Sequence, residues 1–287
     1  MKNNLSLTLI FLFTFPILAD AADRADCFPF ERLPAEARPQ AEALLLKALD
    51  SEALYTIVGG IKPMSSGFSA FTVAVRQPRD EKARSERSET LAKMEETRQA
   101  LALWRCGGDE LFADLHHFAR AFDGRRSSDA VVFNRRSLRE MLDGRHDFFD
   151  RWAITPSAHP LQVLYAVENA ESTARFAGYG YLFGYPDHAV RFFVEAANEE
   201  ELTGRFVERD FYSIATVTSD TNRFVFAVPK GHKETEADRS LKERAELILA
   251  EYRKRRGEYI GEDKAGVVEM LRDWFCGNDG ICSIPRY

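Results

Sequence analysis

The sequence predicts a helix-dominated α+β fold in which a single domain, residues 22–287, carries a small antiparallel sheet. Several long segments place apolar residues three and four positions apart, which is typical of helices with one buried face. A few shorter segments are rich in β-branched and aromatic residues, as strands are. The chain contains neither an internal repeat nor a proline- or serine-rich linker, so we expect one domain.

The N-terminus precedes that domain and predicts an export signal over residues 1–21. Lys2 is followed by an apolar run over residues 5–18, and small residues at Ala19 and Ala21 favour cleavage after Ala21. A membrane anchor is the alternative, but the run has about 14 residues where a span needs about 20. We therefore expect a soluble protein, periplasmic or secreted, that does not remain in a membrane after cleavage.

The helices are predicted from the spacing of their apolar residues. Leu44, Leu45 and Ala48 fall on one face of the first, and Asp109 is a suitable N-cap for the third. Pro186 suits the first turn of the sixth, where a missing N–H costs nothing. The predicted helices cover residues 35–57, 80–105, 109–122, 137–142, 159–169, 186–202, 234–256 and 263–275.

The predicted strands cover residues 68–75, 206–218 and 223–228, with a further short strand over 130–133. The polar residues 219–222 indicate a hairpin turn between two of them. We expect the first three segments to form the small antiparallel sheet.

The composition limits the classes of partner. The 287 residues carry a formal charge of −6 and include 22 phenylalanines, which can fill a sizeable core. A mildly acidic chain lacks the basic surface that nucleic acids require, so no nucleic-acid partner is expected. No dinucleotide or phosphate-loop motif occurs, and ATP and NAD are cytosolic, so we also expect no cofactor.

Four cysteines are present, and an even number in an exported chain indicates disulfides. The short, glycine-containing loop 277–281 favours a bond between Cys276 and Cys282. Cys27 and Cys106 would then join the N-terminus to a helix end. A metal or redox site is the alternative, but the C-x5-C spacing matches neither a C-x2-C motif nor a zinc finger.

The first candidate site is the glycine-flanked loop over residues 59–67. Such a loop can hold side chains in a cleft. Lys62 and Ser65 would supply a base and a nucleophile, although their order reverses the Ser-x-x-Lys signature. The alternative interpretation is a helix end followed by a turn.

The second candidate site is the segment over residues 178–188, in which glycines and tyrosines alternate before a helix. We expect a loop with an aromatic-walled pocket, formed by Tyr179, Tyr181 and Tyr185, with His188 nearby. The alternative is a tight connection whose tyrosines cover the core.

The histidines show no metal-binding pattern. Neither H-x-x-x-H nor H-E-x-x-H occurs, and on a helix His116 and His117 would point about 100° apart. A site formed in space by His117, His188 and a distant carboxylate has no support from the spacing. We therefore expect no metal. The six histidines are His116, His117, His146, His159, His188 and His232.

Two functions remain open. The first is an exported binding or interaction protein with an aromatic-lined pocket, whose partner is a small molecule or another protein. The second is an exported hydrolase-like enzyme that uses the segments 59–67 and 178–188. No complete catalytic set can be assembled from the sequence, so the first is favoured and whether the protein is an enzyme stays open.

Overall fold

The computed structural model describes residues 24–108, 110–221 and 223–287, and the predicted signal peptide, residues 1–21, lies outside them. Helices dominate and the strands are antiparallel, so the predicted α+β class is confirmed. Among the helices in these ranges, none combines the length and apolar composition that a membrane crossing requires.

The helices provide most of the described structure. The long predicted helices 80–105 and 234–256 correspond to α3 and α9, whereas the predicted helix 35–57 is divided into α1 and α2. The helices are α1 (Arg38–Leu49), α2 (Leu54–Ile57), α3 (Glu81–Leu101), α4 (Arg135–Gly144), α5 (His146–Phe149), α6 (Pro160–Glu168), α7 (Ser172–Leu182), α8 (Asp187–Thr203), α9 (Glu236–Tyr259) and α10 (Gly266–Phe275). The strands are β1 (Met64–Ser65), β2 (Ala70–Ala74), β3 (Leu111–Phe122), β4 (Arg125–Asn134), β5 (Arg209–Ile214) and β6 (Phe224–Pro229).

Side-chain caps fix where the two longest helices begin. Asp80 accepts a hydrogen bond from the Ala83 N–H at 2.9 Å, which satisfies a free donor in the first turn of α3. Thr235 and Asp238 form a reciprocal capping box at the start of α9. The polar residues before each amphipathic run therefore set the positions of these helices.

The strands form two sheets and not one. In the larger sheet β4 is central, with β3 along one edge and β1 and β2 along the other. Strands β5 and β6 form a separate hairpin. The prediction that residues 68–75 share a sheet with 206–218 and 223–228 is therefore wrong. Pairing between distant strands depends on the tertiary fold, whereas the β5–β6 pairing is local.

The helix predicted over residues 109–122 is wrong, because residues 111–122 form strand β3. Its predicted cap, Asp109, lies outside the described residues. Strand β3 joins β4 through Asp123 and Gly124, whose φ angles of 47° and 68° are those of a tight hairpin turn. Hydrogen bonding to β4 along this hairpin outweighs the helical propensity of the segment.

The larger sheet has a hydrophobic core on each face. Leu111, Ala113 and Leu115 enter one core together with residues of α1, α3, α9 and α10. Phe112 and Phe133 belong to the second core, with residues of α4, α6 and α7. Alternate residues of β3 thus enter different cores, which is the two-residue period of a strand. Polar groups at inner positions of this sheet are consequently removed from water.

The first part of segment 178–188 is helical and belongs to α7, so the prediction of a loop there is wrong. Its glycines allow close packing between helices. A Cβ on Gly178 would lie 2.6 Å from Val167 of α6, and one on Gly180 would lie 2.8 Å from Val190 of α8. Helix interiors disfavour glycine by about 1 kcal/mol relative to alanine. Here the packing of α7 against α6 and α8 requires it.

Both predicted disulfides are confirmed. Cys27 is bonded to Cys106, and Cys276 is bonded to Cys282. The four sulfur atoms lie within 4.8 Å of one another, so the two disulfides are adjacent. The first bond holds the start of the described chain beside the segment that follows α3.

Candidate functional site

The two segments selected from the sequence, residues 59–67 and 178–188, pack directly against each other. Gly184 has a φ of 72°, and a Cβ there would lie 3.0 Å from the Ile61 carbonyl oxygen and 3.2 Å from Lys62 Cα. Glycine suits this position because it lacks a Cβ and adopts positive φ without strain. The contact brings the side chains of both segments into one region of the molecule.

Lys62 is fully buried and paired inside the protein. Its ammonium group forms an ion pair with Glu52 and lies 4.3 Å from the ring centroid of Phe224 and 5.5 Å from that of Phe183. Burial lowers the pKa of Lys62, and the Glu52 carboxylate opposes this shift. The lysine joins the two segments from within, and its side chain does not reach solvent.

Ser65 is also fully buried. Its hydroxyl lies 2.8 Å from the Thr56 hydroxyl and donates to the Glu52 carbonyl oxygen at 3.3 Å. These bonds connect strand β1 to the chain around α2. Lys62 and Ser65 thus make their polar contacts in the interior, where a substrate cannot reach them.

Tyr181 and Tyr185 border a depression of about 230 Å³ at the surface of this junction. Its charged side chains are those of Arg145, Arg244 and Glu140. Burial raises the pKa values of both tyrosines. The depression therefore presents phenol groups together with charged groups of both signs beside the Gly60–Pro63 backbone.

An apolar cavity of about 250 Å³, named here the sheet pocket, is bordered by the larger sheet and by α6 and α7. Both selected segments contribute to it. Met64 and Ser66 come from the first, and Tyr179 and Phe183 come from the second. The residues that line the sheet pocket are Met64, Ser66, His116, Phe118, Asp129, Val131, Leu164, Tyr179 and Phe183.

His116 is the most unusual residue of the sheet pocket. His116 is only 2% exposed, and neither of its ring nitrogens has a hydrogen-bond partner among the described residues. Its ring centroid lies 5.1 Å from that of Phe118 and 5.8 Å from that of Tyr165. Burial lowers the pKa of His116, and the Glu168 carboxylate opposes this shift. A neutral imidazole offers one donor and one acceptor.

Asp129 lies opposite His116 in the pairing of β3 with β4. Directly opposed residues of two antiparallel strands project from the same face of the sheet. Asp129 is half-buried, and burial raises the pKa of its carboxyl group. Burial thus shifts both His116 and Asp129 of the sheet pocket toward their neutral forms.

The wall of the sheet pocket at Tyr179 is held by a buried carboxylate. The Tyr179 hydroxyl donates to Glu168 Oε2 at 2.6 Å, and Glu168 Oε1 accepts the Ala119 N–H at 2.9 Å. Burial raises the pKa of Tyr179, and the bond to Glu168 acts in the same direction. Glu168 thus connects α7 to the irregular part of β3.

His188 lies outside the sheet pocket, in a polar cluster at the start of α8. Its Nε2 is 3.1 Å from Asp238 Oδ1, and its ring is stacked on that of His232 with centroids 5.1 Å apart. Of the six candidate residues that the sequence predicts in the two segments, Tyr179 alone lines the sheet pocket. Tyr181 and Tyr185 line the polar depression, and Lys62 and Ser65 lie in the interior.

Sequence reasoning missed His116 and Asp129 as site residues. The helix that the sequence predicts over residues 109–122 does not show the alternation of inner and outer residues that a strand has. The Asp123-Gly124 dipeptide was the available signal, since it is typical of a two-residue hairpin turn. A hairpin at that position would have placed His116 beside the facing strand.

A further groove, of about 440 Å³, lies between α1, α3 and β2. Its polar lining includes Glu36, Lys93 and Glu96, which are exposed side chains. It contains none of the selected residues and no buried titratable group, so we place the candidate site in the sheet pocket.

No protein-family model matches the chain, and the comparisons with curated proteins and with solved structures give no match. The functional argument therefore rests on the geometry and chemistry of the site.

Proposed function

We propose that this protein is an exported binding protein whose sheet pocket takes a small aromatic molecule with one hydroxyl or N–H group, such as a phenol or an indole. The observation that carries the proposal is His116, a buried imidazole without a hydrogen-bond partner in the described residues, at the wall of an apolar cavity. A buried polar group without a partner is unfavourable by about 1 to 3 kcal/mol. A ligand that hydrogen-bonds to this ring would remove that penalty.

The size and lining of the pocket support this ligand class. Pockets for drug-sized molecules have volumes of about 300 to 1,000 Å³, so about 250 Å³ suits a compound of one or two fused rings. Phe118, Tyr179 and Phe183 provide aromatic faces for stacking or edge contacts. Because burial favours the neutral forms of His116 and Asp129, the pocket favours a neutral ligand over an ion.

The export part of the proposal is supported by the predicted signal and by the two disulfides. Disulfides persist in oxidising compartments outside the cytosol. The hydrolase alternative has weaker support, because Lys62 and Ser65 make their polar contacts within the interior. We therefore retain the binding function.

The test compares phenol with toluene by isothermal titration calorimetry on the wild type and on His116→Leu. We expect phenol to bind the wild type and the variant to bind it about tenfold more weakly, which corresponds to one hydrogen bond of about 1.4 kcal/mol. Binding of toluene should change little.

His117→Gln is the matched control, because His117 is exposed and hydrogen-bonds to Ser128 at 2.7 Å, away from the sheet pocket. It should bind phenol as the wild type does. The proposal fails if neither phenol nor indole binds the wild type, or if His116→Leu binds phenol with unchanged affinity.

A further inference from the structure

Three potential metal ligands converge from three parts of the chain. His188 lies in the first turn of α8, His232 in the connection between β6 and α9, and Asp238 in the first turn of α9. One ligand atom from each, a ring nitrogen or a carboxylate oxygen, can be chosen so that all lie within 4.8 Å of one another. Two imidazoles and a carboxylate are a common ligand set for zinc.

The Asp238 carboxylate is held in a fixed orientation. Asp238 is fully buried, and its Oδ2 accepts the Thr235 N–H at 2.9 Å and the Thr235 hydroxyl at 2.8 Å. His232 Nε2 lies 2.8 Å from the same oxygen. The two bonds from Thr235 are of the kind that orients a ligating carboxylate. Its other oxygen, Oδ1, is left free to act as a ligand.

The geometry between Asp238 and His188 differs from that of a hydrogen bond. Asp238 Oδ1 and His188 Nε2 are both buried and 3.1 Å apart, yet neither has a hydrogen-bond partner among the described residues. Two close polar atoms that do not form a hydrogen bond with each other can instead both be ligands of one metal ion. In a tetrahedral zinc site with bonds of about 2.0 to 2.1 Å, neighbouring ligand atoms are about 3.3 Å apart.

The two imidazole rings are also held in place. They are stacked with an interplanar angle of 10°, and the ring of Phe226 contacts His188 edge-on at 6.4 Å between centroids. The side chains of His188 and His232 are 28% and 12% exposed, so an ion has access from solvent. The three ligand groups are therefore close together before an ion binds.

We propose that His188, His232 and Asp238 bind one divalent transition-metal ion, with Zn²⁺ preferred, and that water completes its coordination. Binding replaces the hydrogen bond from His232 to Asp238 Oδ2, so the proton of that imidazole resides on Nδ1 and Nε2 becomes a ligand. The metal site uses none of the sheet-pocket residues, so this proposal does not depend on the binding function proposed above.

The test is titration of the purified protein, with both disulfides intact, with Co²⁺ and then Zn²⁺. We expect one equivalent of Co²⁺ to produce visible absorption bands, and Zn²⁺ to displace it. His188→Gln should weaken binding by about tenfold or more, because even partners of ligands contribute about 10- to 100-fold to metal affinity. Thermal denaturation should show that the variant is folded.

His146→Gln is the control, because His146 is an exposed histidine on α5 whose side chain is 66% exposed. It should bind Co²⁺ as the wild type does. The inference is overturned if the wild type takes up no stoichiometric Co²⁺, or if His188→Gln binds it with unchanged affinity. It is also overturned if His146→Gln weakens Co²⁺ binding as much as His188→Gln does, since the ion would then bind at the surface.

Discussion

Lys62 and His116 are two basic side chains enclosed by aromatic rings, but they differ in their polar partners. Lys62 has the Glu52 carboxylate beside its ammonium group. The imidazole nitrogens of His116 have no hydrogen-bond partner within residues 24–108, 110–221 and 223–287. Burial of a basic group therefore does not by itself indicate a binding site. A missing polar partner beside a cavity is the more informative feature.

The difference predicts opposite effects on stability when each residue becomes apolar. Removal of one partner of the Lys62–Glu52 ion pair should lower the free energy of unfolding, because the other partner is left as an uncompensated charge. His116 should contribute little to stability, because no hydrogen bond is lost with it. The predictions below are ordered from the largest expected effect to the smallest.

Lys62→Met should lower the free energy of unfolding by about 3 kcal/mol, since the partly buried Glu52 carboxylate loses its partner. Urea denaturation measures this. Lys82→Met is the matched control, because Lys82 forms an exposed pair with Glu86 and should change stability by less than about 1 kcal/mol. Adding Glu52→Gln to Lys62→Met should restore part of the loss. Equal effects at the two lysines would contradict a structural role for Lys62.

Tyr179→Phe should lower the free energy of unfolding by about 1.5 kcal/mol, because the buried Glu168 carboxylate loses a donor. Tyr165→Phe is the control, since Tyr165 is 41% exposed and should differ from the wild type by less than about 0.5 kcal/mol. Chemical denaturation at pH 7 compares them. If the two variants were equally stable, Glu168 would not hold this wall of the pocket.

His116→Leu should leave the free energy of unfolding unchanged or raise it by up to about 1 kcal/mol, because an unsatisfied buried group is replaced by an apolar one of similar size. The neighbouring change His117→Leu should lower stability by about 1 kcal/mol, since it removes the bond to Ser128. Parallel urea titrations give both values. A large loss for His116→Leu would show that the ring has a structural partner.

The pH dependence of stability should also differ between the wild type and His116→Leu. Because burial lowers the pKa of His116 below the unfolded value of 6.5, the folded state favours the neutral ring. This contribution is present above pH 6.5 and is lost as the pH falls through the folded pKa. Urea midpoints at pH 7.5, 6.0 and 5.0 should therefore fall more for the wild type than for the variant. Parallel curves would contradict a neutral, buried His116.

The sequence predicts those features that depend on a local pattern of residues, and it predicts disulfides from the export signal. The pairing of Cys276 with Cys282 follows from a short glycine-containing loop, and the long helix predicted over residues 80–105 follows from the spacing of its apolar residues. The β5–β6 hairpin follows from two adjacent apolar runs. Each of these interactions joins residues that are near one another in the chain.

The sheet pocket depends on contacts between distant segments, so the local sequence pattern identifies few of its residues. His116 and Asp129 are brought together by the register of β3 on β4. Tyr179 lies on α7, which packs closely against α6 and α8 at Gly178 and Gly180. Spacing alone identified the glycines and tyrosines as unusual, but not the direction in which each side chain points.

Histidine-selective ¹⁵N NMR with phenol as the added ligand tests the role of His116 most directly. Without phenol, the ring nitrogens of His116 should show a neutral imidazole at pH 7. Addition of phenol should shift these signals to saturation at one equivalent, while the signals of exposed His117 stay unchanged. If the His116 signals do not move at saturating phenol, or if His117 moves in their place, the sheet pocket is not the binding site.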